Sequence, residues 1–416
     1  MDSKSQAQKL SVFINQYTLM WNDEIMNEYP DSLRHYPQEW LELLADLTPN
    51  ELYAIDCKKI IPQVKDSSFA HFMQEAKELS ALPLTPERPE IPLEDWAFNG
   101  VKEKKRHEIQ KIVPKIKEMK DKTSFEYVVD IGGGVGHLSR VLSHYHSIPS
   151  VSLDRDLAFQ KIGIERLSKY RKIDGAQDVQ FINLTFGEAD QENILKDIFK
   201  TNSFSLGLHT CGSLANTLIQ KTLQFQTTGL LSFGCCYYRL NPTTDFPLSA
   251  FYINNSFPKL NLFALTLATR SHAPMSREDY NTKERVKYYR YALHLFLLKH
   301  FHNKYFTDVG ECPIRVYWGP FSFYMREKLE RLKIEHDFSD DDFNEFYADP
   351  KLQAELKKMY LANIIRWQLG RVLEVYLLLD RVCFLEEQSY QVKIEQYFNE
   401  ELSPRNIGIL AIKTLL

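Results

Sequence analysis

Read for the spacing of its apolar positions, the chain changes character twice. Between residues 125 and 234, short apolar runs recur, each closed by turn residues and separated by segments of helical periodicity. Strands are expected at 125–131, 150–154, 179–184, 205–209 and 230–234, and helices at 136–143, 158–170, 191–200 and 214–223. Near-continuous apolar strands alternating with helices predict an α/β fold, a doubly wound parallel sheet covered on both faces.

The flanks read differently. The first eighty residues carry helical stretches near 12–21 and 40–47, with Pro37 opening a helix and Pro49-Asn50 closing it. Pro83, Pro86, Pro89 and Pro92 follow at intervals of three, a spacing that favours extended backbone and predicts a linker. A basic helix is expected at 102–122, with nine Lys/Arg against four acids, either a solvated face or a contact for an acidic partner. Beyond Asn241 the periodicity is helical. Near 279–300, Val286, Tyr289, Leu293, Phe296 and Leu297 share one face, with Lys283, Lys287, Arg290 and His294 on another. Residues 391–397 alternate again and 407–412 form a second apolar strand; joined through Ser403-Pro404-Arg405-Asn406, they predict a terminal antiparallel hairpin. The expected divisions are an N-terminal helical region (1–95), a first core segment (100–250), a helical insertion (251–365) and a last core segment (366–416).

Composition adds limits. A formal net charge of −4 argues against a surface built for non-specific nucleic-acid binding. The six cysteines lack two-by-two zinc spacing, so no metal is expected. The start lacks the apolar core of a leader and no run reaches membrane-spanning length, so a cytoplasmic protein with no membrane partner is expected.

The chemistry concentrates at strand ends. Asp130 closes the first strand and is followed by Gly132, Gly134 and Gly136. This departs from the dinucleotide pattern G-x-G-x-x-G, whose last glycine would fall on His137. A carboxylate at Asp130 would repel a pyrophosphate but suits the ammonium of S-adenosyl-L-methionine. Asp154, ending the second strand, stands where ribose hydroxyls are bound, and Asn183 and Leu184 stand near the adenine. Two further strand ends, Leu208-His-Thr-Cys-Gly212 and Gly234-Cys-Cys-Tyr-Tyr-Arg239, should face the methyl group. They offer His209, Cys211, Cys236 and Tyr237 as catalytic candidates, a cysteine being the nucleophile that carbon-5 methylation of pyrimidines needs. Lys104, Lys105, His107, Arg239 and Arg405 are candidate substrate-binding residues. No Asn/Asp-Pro-Pro-aromatic segment for adenine amines follows the fourth strand.

The segments Val129–Ser139, Leu208–Gly212, Gly234–Tyr237 and Ser403–Asn406, with Lys104–Glu108 and Leu379-Asp380-Arg381, resemble the methyltransferase-like protein 25 family. That family includes proteins named for a ribosomal RNA adenine dimethylase domain. The paired cysteine segments alone bear a more distant likeness to acceptor-stem tRNA 2′-O-methyltransferases. The resemblance implies a class I methyltransferase fold and its cofactor. Two positions depart from the family: Ser213 replaces an acid after Cys-Gly, and Tyr238 replaces a frequent His. The expected function is methyl transfer to a macromolecule, RNA or protein. The alternatives are an inactive module of this fold that binds RNA or ribosomes, and a small-molecule methyltransferase. Asp380 and Arg381 are expected to pair within one helix.

Overall fold

The computed structural model describes residues 2–58, 67–88, 93, 95–169, 177–187, 191–270 and 274–414. Seven strands form one sheet: β1 (Tyr127–Ile131), β2 (Ser150–Asp154), β3 (Val179–Asn183), β4 (Ser203–Cys211), β5 (Gly229–Cys235), β6 (Tyr390–Gln396) and β7 (Ile407–Lys413). Their order is β3-β2-β1-β4-β5-β7-β6, with β1 to β5 parallel and β7 antiparallel to both neighbours. The fold is α/β, with the strand order of a class I methyltransferase. The apolar runs explain the parallel strands: Val128, Val129, Phe204, Leu206, Leu230 and Leu231 are buried because helices cover both faces. Strand order reverses between β1 and β4, and such a switch point leaves a crevice beyond the carboxyl ends.

The basic helix spans Glu103–Thr123, and it is a core element rather than a solvated one. Ile109, Ile112, Val113, Ile116 and Met119 bury a stripe against Val128, Leu138, Phe204 and Leu206. Its charges are largely taken up at home. Glu118 receives Lys122, Lys115 and Arg88, and the Lys120 ammonium donates to the Phe125 carbonyl.

The expected linker is extended but tied down at its described end. The Thr85 N–H donates to the Gln396 carbonyl, and the Gln396 N–H to that of Pro83, so Leu84 pairs with the β6 edge. Pro89 and Pro92 lie outside the described residues.

Two compact units emerge. One comprises Met1–Val12, Leu79–Thr269 and Leu373–Leu416 and holds the whole sheet; the other comprises Phe13–Glu78 and Arg270–Val372. These limits differ from the four expected segments, since the sheet unit runs past 250 and recruits the first residues. In the helical unit, Arg277–Phe301 is covered on more than its apolar face. His294 is buried, and the Lys283 ammonium meets Asp56 and lies 3.5 Å from the Trp367 ring centre. Among the described residues no helix is long and apolar enough to cross a membrane.

Candidate active site

The turn after β1 is built as its glycines require. Gly132, Gly134 and Gly136 take φ of 70°, 60° and 70°, a region costly for residues with a Cβ. A Cβ at Gly132 would meet nothing within 4 Å, and one at Gly134 only the Asp154 carboxylate at 4.0 Å. The turn therefore opens onto space with two acids beside it. Between them Gly133 admits no side chain at all, since its Cβ would lie 2.3 Å from Ser152 Oγ.

The two acids sit in unlike surroundings. Asp154 is half-buried, and its carboxylate accepts from the N–H groups of Gly134 (2.8 Å) and Asp156 (2.9 Å). An ionised carboxylate accepts about four hydrogen bonds, so it keeps capacity for hydroxyls. Asp130 is buried and accepts from Ser139 Oγ at 2.7 Å. Burial pushes its pKa up to about 6, against the Ser139 hydrogen bond and the Lys105 charge, with Asp154 adding to the rise. Asn183 is exposed and its side-chain N–H donates to the Asp154 carbonyl, as does the N–H of buried Leu184. Both residues thus brace the β2 end, and Asn183 remains on the rim.

Three motifs distant in sequence meet at Glu108, a buried carboxylate. His209 Nε2 lies 3.0 and 3.1 Å from its two oxygens, Ser403 Oγ donates to it at 2.8 Å, and Lys104 Nζ approaches to 3.7 Å. Burial disfavours the charge, but the His209 hydrogen bond, then Ser403 and Lys104, hold the Glu108 carboxyl below its ordinary value. Facing a carboxylate, His209 carries a proton on Nε2, and in the neutral ring Nδ1 is an acceptor. Sequence reasoning missed Glu108, although it belongs to the Lys104–Glu108 motif.

The Cys211 and Cys235 sulfurs lie 3.2 Å apart, and Cys236 completes the cluster. The hydrogen bond from Cys235 holds the Cys211 thiol below its ordinary value, with Arg239 and His209 helping, while Cys235 is raised.

Several expectations need correction. Tyr237 is buried, and its hydroxyl donates to the Gly234 carbonyl and the Glu374 carboxylate, both at 3.0 Å. Burial raises its pKa well above the ordinary value, so it is a packing and hydrogen-bonding residue, not an acid–base group. His107 Nε2 accepts from the Asn399 N–H at 3.1 Å and its ring packs edge-on to Phe398, which makes it a brace for the hairpin. Lys104 approaches Glu108 while its side chain stays 43% exposed, and the Lys105 charge faces Asp130. Burial lowers the Lys105 pKa, and Asp130 and then Glu108 oppose that shift. Arg405 is half-buried, 3.4 Å from the Thr269 carbonyl, whereas Arg239 is exposed beside the cysteines. Asp380 does not bond Arg381 within the helix: it accepts from Leu248 N, Ser249 N and Ser249 Oγ, while Arg381 lies over the Tyr237 ring.

At Ser213, where the resemblance leads one to expect an acid, a carboxylate arrives from elsewhere. Ser213 Oγ donates to Asp245 Oδ2 at 2.6 Å, and Asn241 N donates to the same oxygen. Nothing in the sequence marks Asp245. Tyr238 is half-buried, its N–H donating to Thr269 Oγ1.

Comparison with known proteins agrees with this fold. The family described as a methyltransferase domain (Methyltransf_32) matches residues 104–243. Probable methyltransferase-like protein 25 of Homo sapiens is 26% identical over 253 residues, covering 55% of this chain and 40% of that protein. Its Mus musculus counterpart is 25% identical over 258 residues with the same coverage. The chain thus spans about two fifths of the length of these curated relatives. A solved structure of coclaurine N-methyltransferase bound to N-methylheliamine and SAH aligns over 99% of this chain and 95% of that one. At 11% identity and a TM-score of 0.25 it carries none of the argument. Residues 104–243, within a sheet of class I architecture, match a methyltransferase domain, and the chain is similar to the methyltransferase-like protein 25 proteins.

Proposed function

We propose that the chain transfers a methyl group from S-adenosyl-L-methionine to a nucleophile on a macromolecule, RNA or protein. The observation that carries this reading is the open glycine turn flanked by Asp130 and Asp154 at the end of β1, with His209, the partner of Glu108, on the adjacent strand β4. The turn fits that cofactor: Asp154 keeps lone pairs for the ribose hydroxyls, Asn183 and Leu184 form the adenine edge, and Asp130 offers its carboxylate to the methionine ammonium. The bound cofactor would supply a methyl group already activated on sulfonium, so positioning does much of the rest.

The chain's own contribution is orientation. Glu108 fixes the His209 ring through Nε2, and Nδ1 is then a hydrogen-bond acceptor for the incoming N–H or O–H. Gly132, Asn183, Ser213 and Arg239 are exposed, so the rim reaches solvent. A rim of that kind suits an acceptor carried on a large partner more than one sealed in a cavity.

The deciding experiment is transfer of labelled methyl from S-adenosyl-L-methionine into lysate fractions, with RNase and protease controls. Label in material that is neither dialysable nor extractable as a small molecule supports the proposal, and its sensitivity to RNase or to protease assigns its class. Cofactor binding without transfer to any fraction would favour a binding module, and label confined to small molecules would overturn the acceptor assignment.

A further inference from the structure

The six cysteines lack zinc spacing along the sequence, but the fold supplies what the spacing does not. Cys211 closes β4 and Cys235 closes β5, and the two are register partners in a parallel pair. That pairing depends on an irregularity at His209: Leu208 pairs with Phe233 and Thr210 with Gly234, leaving His209 unpaired at φ 64°. Continued without it, the ladder would set Cys211 opposite Cys236. Register partners of parallel strands point to one face, so the extra residue brings the two thiols together. Cys236 then takes the left-handed conformation, φ 50° and ψ 48°, and its sulfur joins the other two. All three Sγ atoms lie within 4.8 Å of one another, and this is the one such group of three found among the described residues.

Packing alone does not account for this geometry. Left-handed backbone at a non-glycine residue costs about 1–2 kcal/mol, and here two such residues flank one cluster. A small apolar side chain at a strand end needs neither. Three convergent thiols do have a use: tetrahedral Zn–S bonds of about 2.3 Å place sulfurs about 3.8 Å apart. The 3.2 Å contact and the 4.8 Å limit bracket that separation, so shifts of under about 1 Å would close the site. Sulfur-only donors select soft d10 cations over magnesium or calcium.

We propose that Cys211, Cys235 and Cys236 bind one soft d10 cation, zinc(II) or copper(I), through three thiolates, with a fourth position open. Cys235 is buried while Cys211 and Cys236 are half-buried, so the open position faces the accessible side of the strand ends. Binding releases the protons of the three thiols. A thiolate held in this way is a ligand and is withdrawn from nucleophilic attack, which places the cysteines in a role other than carbon-5 chemistry. The inference rests on the ends of β4 and β5 and on the residue after β5, and stands apart from methyl transfer.

The test uses the full chain, purified reduced and without oxygen. Elemental analysis after chelator-limited gel filtration should find one zinc or one copper per chain, and which metal is retained distinguishes the two. Cobalt(II) reconstitution should give sulfur-to-cobalt charge-transfer bands and intense tetrahedral d–d bands. Cys211→Ser and Cys236→Ser should each lose more than about a hundredfold in zinc affinity, beyond what loss of a supporting partner costs. Cys312→Ser should lose none. Because a serine variant can misfold, alkylation of the unmodified chain is the second readout: zinc should shield Cys211 and Cys236 but not Cys312. Cobalt spectra without charge-transfer bands, equal alkylation with and without zinc, or a Cys211–Cys235 disulfide in the freshly isolated chain would each overturn the site. None of these readouts needs S-adenosyl-L-methionine, so failure of the metal site and failure of the methyltransferase reading are separable.

Discussion

At the residue scale, Asp130 sets function against stability. Its pKa in the folded chain is raised to about 6 from 3.8, so between these values the folded state binds more protons than the unfolded one. Stability therefore falls as pH rises through that window, and above it the buried charge costs up to about 3 kcal/mol. Asp130→Asn should raise unfolding free energy at pH 7.5 by about 1–3 kcal/mol, and denaturant titrations should show the gain vanish near pH 4. The same variant should lose cofactor binding by calorimetry. In the unmodified chain, affinity should fall about tenfold per unit of pH below about 6, as the carboxylate is neutralised. A destabilised Asn variant at pH 7.5, or one that binds the cofactor normally, would contradict both parts.

Glu108 poses the opposite case. Its pKa is lowered, so it adds stability above the unfolded value that is lost on acidification through the folded one. Glu108→Gln keeps the acceptor for Ser403 but loses the charge that orders His209. Methyl transfer should drop at least about a hundredfold in kcat, the lower range for acid–base partners, with cofactor affinity unchanged. If kcat held and only thermal stability fell, Glu108 would be a core group and no positioning residue.

Elements explain why parts of the site were legible in the sequence and others were not. The parallel strands announce themselves because both faces are covered, and β2 begins and ends where its apolar run does. The glycine turn is legible because backbone with positive φ restricts the residue type. The cysteine cluster is not, since it depends on one unpaired residue at His209 that no spacing reveals. The basic helix misled for a related reason: charge counts do not say which way a lysine points, and Ile109, Ile112 and Ile116 decide that the helix is buried. Asp245 was invisible because only the fold after β5 brings it to Ser213. That contact predicts a reciprocal exchange. Ser213→Asp alone would set two carboxylates about 3 Å apart and should lower both stability and activity, since close like charges cannot both ionise easily. Adding Asp245→Ser should restore both, and a double-mutant cycle on unfolding free energy measures the coupling. Additive losses would show that the two positions do not share one carboxylate.

Across the whole molecule, the charge balance constrains what the partner can be. Lys and Arg number 51 against 55 acids, and the basic helix Glu103–Thr123 spends much of its charge internally. Lys104 answers Glu108, Lys105 faces Asp130, and Lys115, Lys122 and Arg88 share Glu118. An RNA acceptor would then have to be recognised through few phosphates. Each neutralised phosphate of a single strand contributes about −0.7 to the slope of log affinity against log salt. Anisotropy titrations with single-stranded RNA should give a slope no steeper than about −2, set by three or fewer such contacts. Charge reversal at Lys104 and Lys105 should leave that slope unchanged while impairing cofactor binding and transfer, because both lysines serve the buried acids. A slope of about −5 that relaxed in the Lys104→Glu, Lys105→Glu variant would place a phosphate-binding face on this helix after all, and would return RNA docking to the residues now assigned to the site.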